Sequence, residues 1–394
     1  MNVLERFDGG KRLLAGSIAA ALVGLIATAI GFAFEAHEAL FSYLVAIAYW
    51  LGMAVGALIL LASMHASSAK WPVVVRRMLE KMSTACMVFV PLFIPVLVGM
   101  KYLFVWVSRP SNLSEETLAA LEHKHAYLNV PFFIVRSAIY FAIWAVVAYL
   151  LSAWSTRQDT TRDAWLTRKQ RRLAAYALPF LGLSITFAAF DWLMSLQPTW
   201  FSTIFGVYYF AGGFVGAIAL LTLITVLARG PNLYGSLVSA DHYQNLGNFL
   251  FAFVIFWAYI AFSQFMLIWI ADLPEEIPWY LVRAAGKWEP LGIALAIGHF
   301  LLPFFILLFR SVKRNRRALG LVAAWVLIFH YLDVYWIIMP ALHPGSPAPH
   351  WTQASAFIGV GGAALAFTVW MLRGGYTIPV GDPYLQLSLQ FRQP

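Results

Sequence analysis

Ten stretches of roughly twenty residues with almost no charge follow one another along the 394-residue chain, at about 13–34, 40–64, 86–107, 131–153, 172–196, 204–228, 247–270, 288–310, 318–339 and 354–372. A helix needs about 20 apolar residues to cross a bilayer. In lipid every backbone polar group must be satisfied within the segment itself. This pattern predicts an all-α integral membrane protein of about ten transmembrane helices, residues 1–394 forming one transmembrane domain. Charged residues make up only 11% of the chain, against roughly 25% in a soluble domain. The basic start of the N-terminus is followed by a long apolar run with no clear small-residue cleavage site, so a retained first helix is expected.

The formal charge of +9 does not call for nucleic acid, because the basic residues cluster in alternate loops. The stretch 65–85 holds Lys70, Arg76, Arg77 and Lys81; 154–171 holds Arg157, Arg162, Arg168, Lys169 and Arg171; 311–317 holds Lys313, Arg314, Arg316 and Arg317. The intervening loops are neutral or acidic. The positive-inside rule then predicts both termini on the cytoplasmic side. A single cysteine, Cys86, excludes an intrachain disulfide and an iron–sulfur cluster held by this chain alone. There is no CxxCH for a c-type haem.

Two internal segments resemble each other. YWLGMAVGA (Tyr49 to Ala57) matches YFAGGFVGA (Tyr209 to Ala217), KYLFVW matches QFMLIW, Pro131 matches Pro290, and Asp191 matches Asp333. The order predicts two parallel-repeat four-helix bundles, 40–196 and 204–339, flanked by helices 1 and 10. Gly52–Gly56 and Gly212–Gly216 are spacings that permit close helix packing.

Ionisable residues inside apolar helices are costly, and usually face a protein interior or a wet cavity. Asp191, in FAAFDWLM, is one; Asp333 is its counterpart. With the predicted orientation, Lys101, Gln264, Arg136, Asp191 and Asp333 fall toward the outer helix ends, with His299 and His330 deeper. Lys101 and Arg136 are placed to hold or neutralise Asp191. His330 and Asp333, three residues apart, share a helix face. These seven residues form a candidate quinone-binding site or proton path, since a quinol head needs polar partners for its oxygens and a route for two protons. The inner half offers only hydroxyls for a relay. His299 and His330, on consecutive helices at similar depth, also meet the minimum for two axial ligands of a b-type haem, although nothing else marks a haem pocket. No metal site is expected. Trp106, Trp200, Trp269, Trp279, Trp288 and Trp351, near helix ends, read as interfacial anchors. SNLSEETLAALEHKH reads as a short amphipathic helix capped by Ser114.

DWLMSLQPTWFSTIFGVYYFAGGF, HKHAYLNVPFFIVR and DHYQNLGNFLFAFVIFWAYIAFSQFMLIWIADLPEEIPWY resemble the NrfD-like membrane subunits of the polysulphide reductase family, and within it the ActF-type subunit of alternative complex III. The resemblance spans nearly the whole chain. It implies a subunit of a quinol:cytochrome c, or other periplasmic acceptor, oxidoreductase in a bacterial inner membrane. The chain would carry no covalent cofactor of its own. It would meet the lipid-borne quinone pool, menaquinone included. Iron–sulfur clusters and haem c would sit on an iron–sulfur subunit and c-type cytochrome subunits, beside a paralogous ten-helix subunit of ActC type. Quinol would bind this chain or that paralogue. Two other classes fit the same residues: a secondary transporter, and a purely structural membrane anchor.

Overall fold

The computed structural model describes residues 6–229, 233–284 and 286–393. They are helical, with no strand among them. Among the described residues nine helices are long and apolar enough to cross a membrane, and a bent pair makes a tenth. In order these are α1 (Lys11–Phe34), α2 (Ala36–Ala66), α3 (Val73–Met87 with Phe89–Val98), α4 (Val130–Thr161), α5 (Ala164–Leu196), α6 (Phe205–Leu227), α7 (Ala240–Ala271), α8 (Gly286–Leu308), α9 (Arg316–Ala341) and α10 (Trp351–Leu372). The chain is a multi-pass membrane protein by this measure.

The centre of the molecule is the pair α2 and α6. Helix α2 packs against α3, α5, α6 and α10; α6 packs against α2, α5, α7 and α9. Glycine makes the close crossing possible. A Cβ on Gly56 would lie 2.6 Å from the Gly213 carbonyl oxygen, and one on Gly213 would lie 2.6 Å from that of Gly52. Gly212 and Gly216 serve a different neighbour. They make room for the His330 ring on α9, whose Cδ2 would be 2.7 Å from a Gly216 Cβ. Helices α1 and α10 pack on each other at one side of α2.

The third span departs from expectation. Residues 65–85 are not a basic loop: Val73–Thr84 is a helix, and Arg76, Arg77, Glu80 and Lys81 on it are buried. Their charges are matched. Arg76 meets Asp382 at 2.5 Å and Glu80 at 3.4 Å; Arg77 meets Glu80 at 3.1 Å and Asp159 at 2.6 Å. Lys81 Nζ donates to Ser152 Oγ, and Ser155 Oγ donates to Glu80. Three cations and three carboxylates therefore compensate one another, as buried charges must. The stretch 86–107 is correspondingly not one straight helix. It bends by 42° and breaks into short turns. Pro91 and Pro95 lack the N–H that would continue the ladder. The tail after α10 folds back over this end, where Ser388 Oγ accepts from Val74 N and donates to the Trp71 carbonyl.

The short helix Glu115–His123 forms as expected, with Ser114 Oγ accepting from Thr117 N at 3.2 Å. A second short helix, Pro278–Ala284, lies between α7 and α8. Of the tryptophans expected at the interface, Trp269 and Trp351 are exposed, whereas Trp106, Trp200, Trp279 and Trp288 are buried. Trp200 and Trp279 stack at 4.7 Å, so these rings pack the loop helices onto the bundle instead of anchoring them in lipid.

Candidate functional site

Five of the seven candidate residues fall into two clusters, and Lys101 and Gln264 stand apart from both. Lys101 is exposed, with its Nζ 4.8 Å from the centre of the Tyr102 ring, and it makes no ion pair among the described residues. The expectation that it would neutralise Asp191 fails because the break in α3 turns it outward.

Asp191 and Arg136 form the first cluster. The pair is bidentate: Arg136 Nε donates to Oδ2 at 2.8 Å and an Nη to Oδ1 at 2.9 Å. Tyr140 Oη also donates to Oδ2, at 2.7 Å. Arg136 gives a further bond to the Tyr127 carbonyl and stacks on the Tyr127 and Phe132 rings. Both charges are buried and fully engaged. This geometry ties α4 to α5 and leaves little of either group free for chemistry.

Asp333, His330 and His299 form the second cluster, and it is different in kind. Asp333 is 1% exposed and forms no ion pair among the described residues. It accepts from Tyr208 Oη at 2.5 Å and from Trp257 Nε1 at 3.0 Å. His330 lies one turn before it. A Cβ on Gly212 would sit 3.3 Å from both Asp333 Oδ2 and His330 Nδ1, so carboxylate and imidazole converge on one small space. The His299 ring stacks on Trp257 at 4.1 Å and lies 6.3 Å from the His330 ring. Both histidines are buried, and all four of their ring nitrogens lack a hydrogen-bond partner. Buried polar atoms left so are rare and point to water or to a functional role. Helix α8 contributes His299 from a π-helical turn, Ala296–Leu301, a distortion that recurs at functional sites. Gln264 is also buried, and neither end of its amide is hydrogen-bonded.

The sequence suggested two histidine ligands for a b-type haem. The His330 ring is wedged against Gly212 and Gly216 and lies 5.1 Å from the Tyr49 ring. Trp257 covers His299. Such packing suits buried imidazoles better than a slot for a macrocycle. No cluster of three or more potential metal ligands occurs among the described residues.

Tyr208 and Trp257, which hold Asp333, also form part of the wall of a cavity of about 580 Å³ between α7, α8 and the Pro278–Ala284 helix. The cavity is lined mainly by apolar and aromatic side chains, among them Phe262, Tyr280 and Trp336. Its volume falls within the range of small-molecule sites. Arg283 brings the nearby cation. Its guanidinium stacks on Trp279 at 3.6 Å and donates to the carbonyls of Trp279, Trp336 and Ile337. Those bonds take three of its five N–H donors. Burial pushes Arg283 down to about 9, which leaves it charged at neutral pH. Exposed Glu289 lies on the cavity wall.

The sequence singles out Asp333, His330, His299 and Gln264, whereas Tyr208, Trp257, Tyr280 and Arg283 come to notice through their contacts with Asp333 or their place on the cavity wall. Aromatic residues in an aromatic-rich membrane chain carry no signal of their own. The signal for Arg283 was available, as the one arginine in a loop that also holds Asp272, Glu275, Glu276 and Lys287. No family model matches the chain, and no curated protein matches it.

Proposed function

We propose that this chain is a membrane subunit of a quinol-oxidising respiratory complex, of the ActF type that its sequence blocks resemble. In this reading the cavity beside Asp333 takes the quinol head. The observation that carries the proposal is the double role of Tyr208 and Trp257: each hydrogen-bonds Asp333, the one buried carboxylate without an ion pair among the described residues, and each lines the cavity.

Quinol is the substrate; its two electrons pass to iron–sulfur and haem c centres on partner subunits. This chain binds and deprotonates it. Tyr208 Oη donates to Asp333, so its lone pairs are available to accept a quinol hydroxyl. As the quinol proton moves onto Tyr208, the tyrosine proton moves onto the Asp333 carboxylate. His330 and His299, with unbonded ring nitrogens on the far side, receive that proton in turn. Arg283 and Tyr280 orient the ring from the other side. The apolar walls exclude water from the head and pass the tail to lipid.

The orientation with both termini in the cytoplasm, and the location in a bacterial inner membrane, belong to the same proposal. The two-bundle repeat belongs to it as well. Counting from Pro131 and Pro290, Arg136 corresponds to Leu295 and Tyr140 to His299. The second half thus lacks the cation that saturates Asp191, which leaves its carboxylate free to exchange a proton.

Affinity purification of the tagged chain from native membranes in mild detergent tests the assignment. An iron–sulfur protein and c-type cytochromes are expected to co-purify, with a haem c signal in the reduced-minus-oxidised spectrum. A chain that arrives alone and colourless would overturn the respiratory reading in favour of transport.

A further inference from the structure

A second groove, of about 500 Å³, lies between α1, α2, α6 and α10, with Met82 and Ala85 of α3 also on its wall. Its shape is that of one leaflet. On α1 it runs from Arg12 to Ala20, and on α10 from Phe357 to Thr368. At ~1.5 Å per residue these stretches are about 12–17 Å long. Half of a ~30 Å hydrocarbon core is about 15 Å.

The lining is almost entirely apolar and is hollowed by small residues. Gly16 has no atom within 4 Å of where its Cβ would be, while a Cβ on Gly361 would lie 2.6 Å from the Trp50 ring, so glycine there lets that ring pack closely. Ser17 and Thr368 also line it, but their hydroxyls bond their own helix carbonyls; the one charged lining residue is at one end. Arg12, in the first turn of α1, lines the groove, is exposed and has no ion pair among the described residues. A free cation at the membrane edge, closing an apolar channel one leaflet long, matches the charge and length of an anionic phospholipid. We infer that this groove is a specific site for an anionic phospholipid of the leaflet that faces the N-terminus. Its phosphate would meet Arg12, and one acyl chain would lie between α1 and α10 over Gly16. The site is separate from the Asp333 cavity and does not depend on the redox reading.

Native mass spectrometry of the purified, delipidated full chain tests this, with titration of phosphatidylglycerol and phosphatidylcholine of equal chain length. One phosphatidylglycerol is expected to bind in preference to phosphatidylcholine. Arg12→Gln should weaken phosphatidylglycerol about fivefold, the effect of one basic residue at an anionic surface, and so remove the preference. Gly16→Phe, which meets no neighbouring atom at its Cβ, should abolish binding of both lipids with the thermal midpoint unchanged. Equal binding of the two lipids to the wild-type chain would overturn the inference. So would phosphatidylglycerol binding that neither variant changes, or a groove that takes a quinone in place of phosphatidylglycerol.

Discussion

Asp191 and Asp333 are the same residue type at matching places in the sequence, yet their surroundings give them opposite chemistry. Asp191 has a bidentate arginine and a tyrosine hydroxyl. Asp333 has two neutral donors, each shared with a cavity wall. Asp333→Asn removes the proton acceptor while keeping most of the volume. It is expected to lower quinol-dependent reduction of the acceptor by about 100-fold or more, the usual scale for a general base, with assembly intact; steady-state assays on the purified complex check this. Asp191→Ala strands Arg136 in a buried site. Breaking a buried pair costs about 3–5 kcal/mol, so the thermal midpoint should fall sharply, while Lys101→Ala, at an exposed position, leaves it unchanged. Thermal melts of the detergent-solubilised chain measure both. The lone charges in apolar helices were legible in the sequence because membrane insertion makes them expensive. Their partners were not, because a hydrogen bond such as Tyr208 to Asp333 joins residues 125 apart in the chain.

At the scale of elements, the spans were legible wherever hydropathy alone decides them, and failed at α3, where it does not. A helix carrying Arg76, Arg77, Glu80 and Lys81 looks like a loop to any hydropathy reading. It is buried only because Asp159 on α4 and Asp382 in the tail supply the matching charge. The π-helical turn of α8 was equally hidden, since no residue in AIGHFL demands it. The α2–α6 crossing, by contrast, follows from glycine spacing. Gly56→Ala sets a methyl group against the Gly213 backbone, which cannot swing aside as a side chain can. Overpacking of this kind costs about 1–3 kcal/mol, so a lower melting temperature is expected. Gly182→Ala, which would meet nothing within 4 Å, serves as the neutral control in the same melting experiment.

At the scale of the molecule, polar groups are segregated to two ends of an apolar bundle. One end is an ion-pair network of Arg76, Arg77, Glu80, Asp159 and Asp382, closed over by the tail. The other end holds the saturated Asp191 pair and the unsaturated Asp333 cluster, the latter beside the cavity. Under the proposed function, the first two serve stability and the third serves chemistry. The class of the molecule and the three members of the Asp333 cluster were readable from single residues in apolar runs. The cavity was not, because it arises from five elements, α6, α7, α8, α9 and the Pro278–Ala284 helix, that meet only in the fold. The most direct test of the central claim is photo-crosslinking of an azido-quinone to the complex in native membranes, mapped by peptide mass spectrometry. The account predicts label on the cavity wall, at Tyr208, Trp257, Phe262 or Tyr280, competed away by excess quinol. Label confined to other subunits, or to surfaces of this chain remote from the Asp333 cavity, would contradict it.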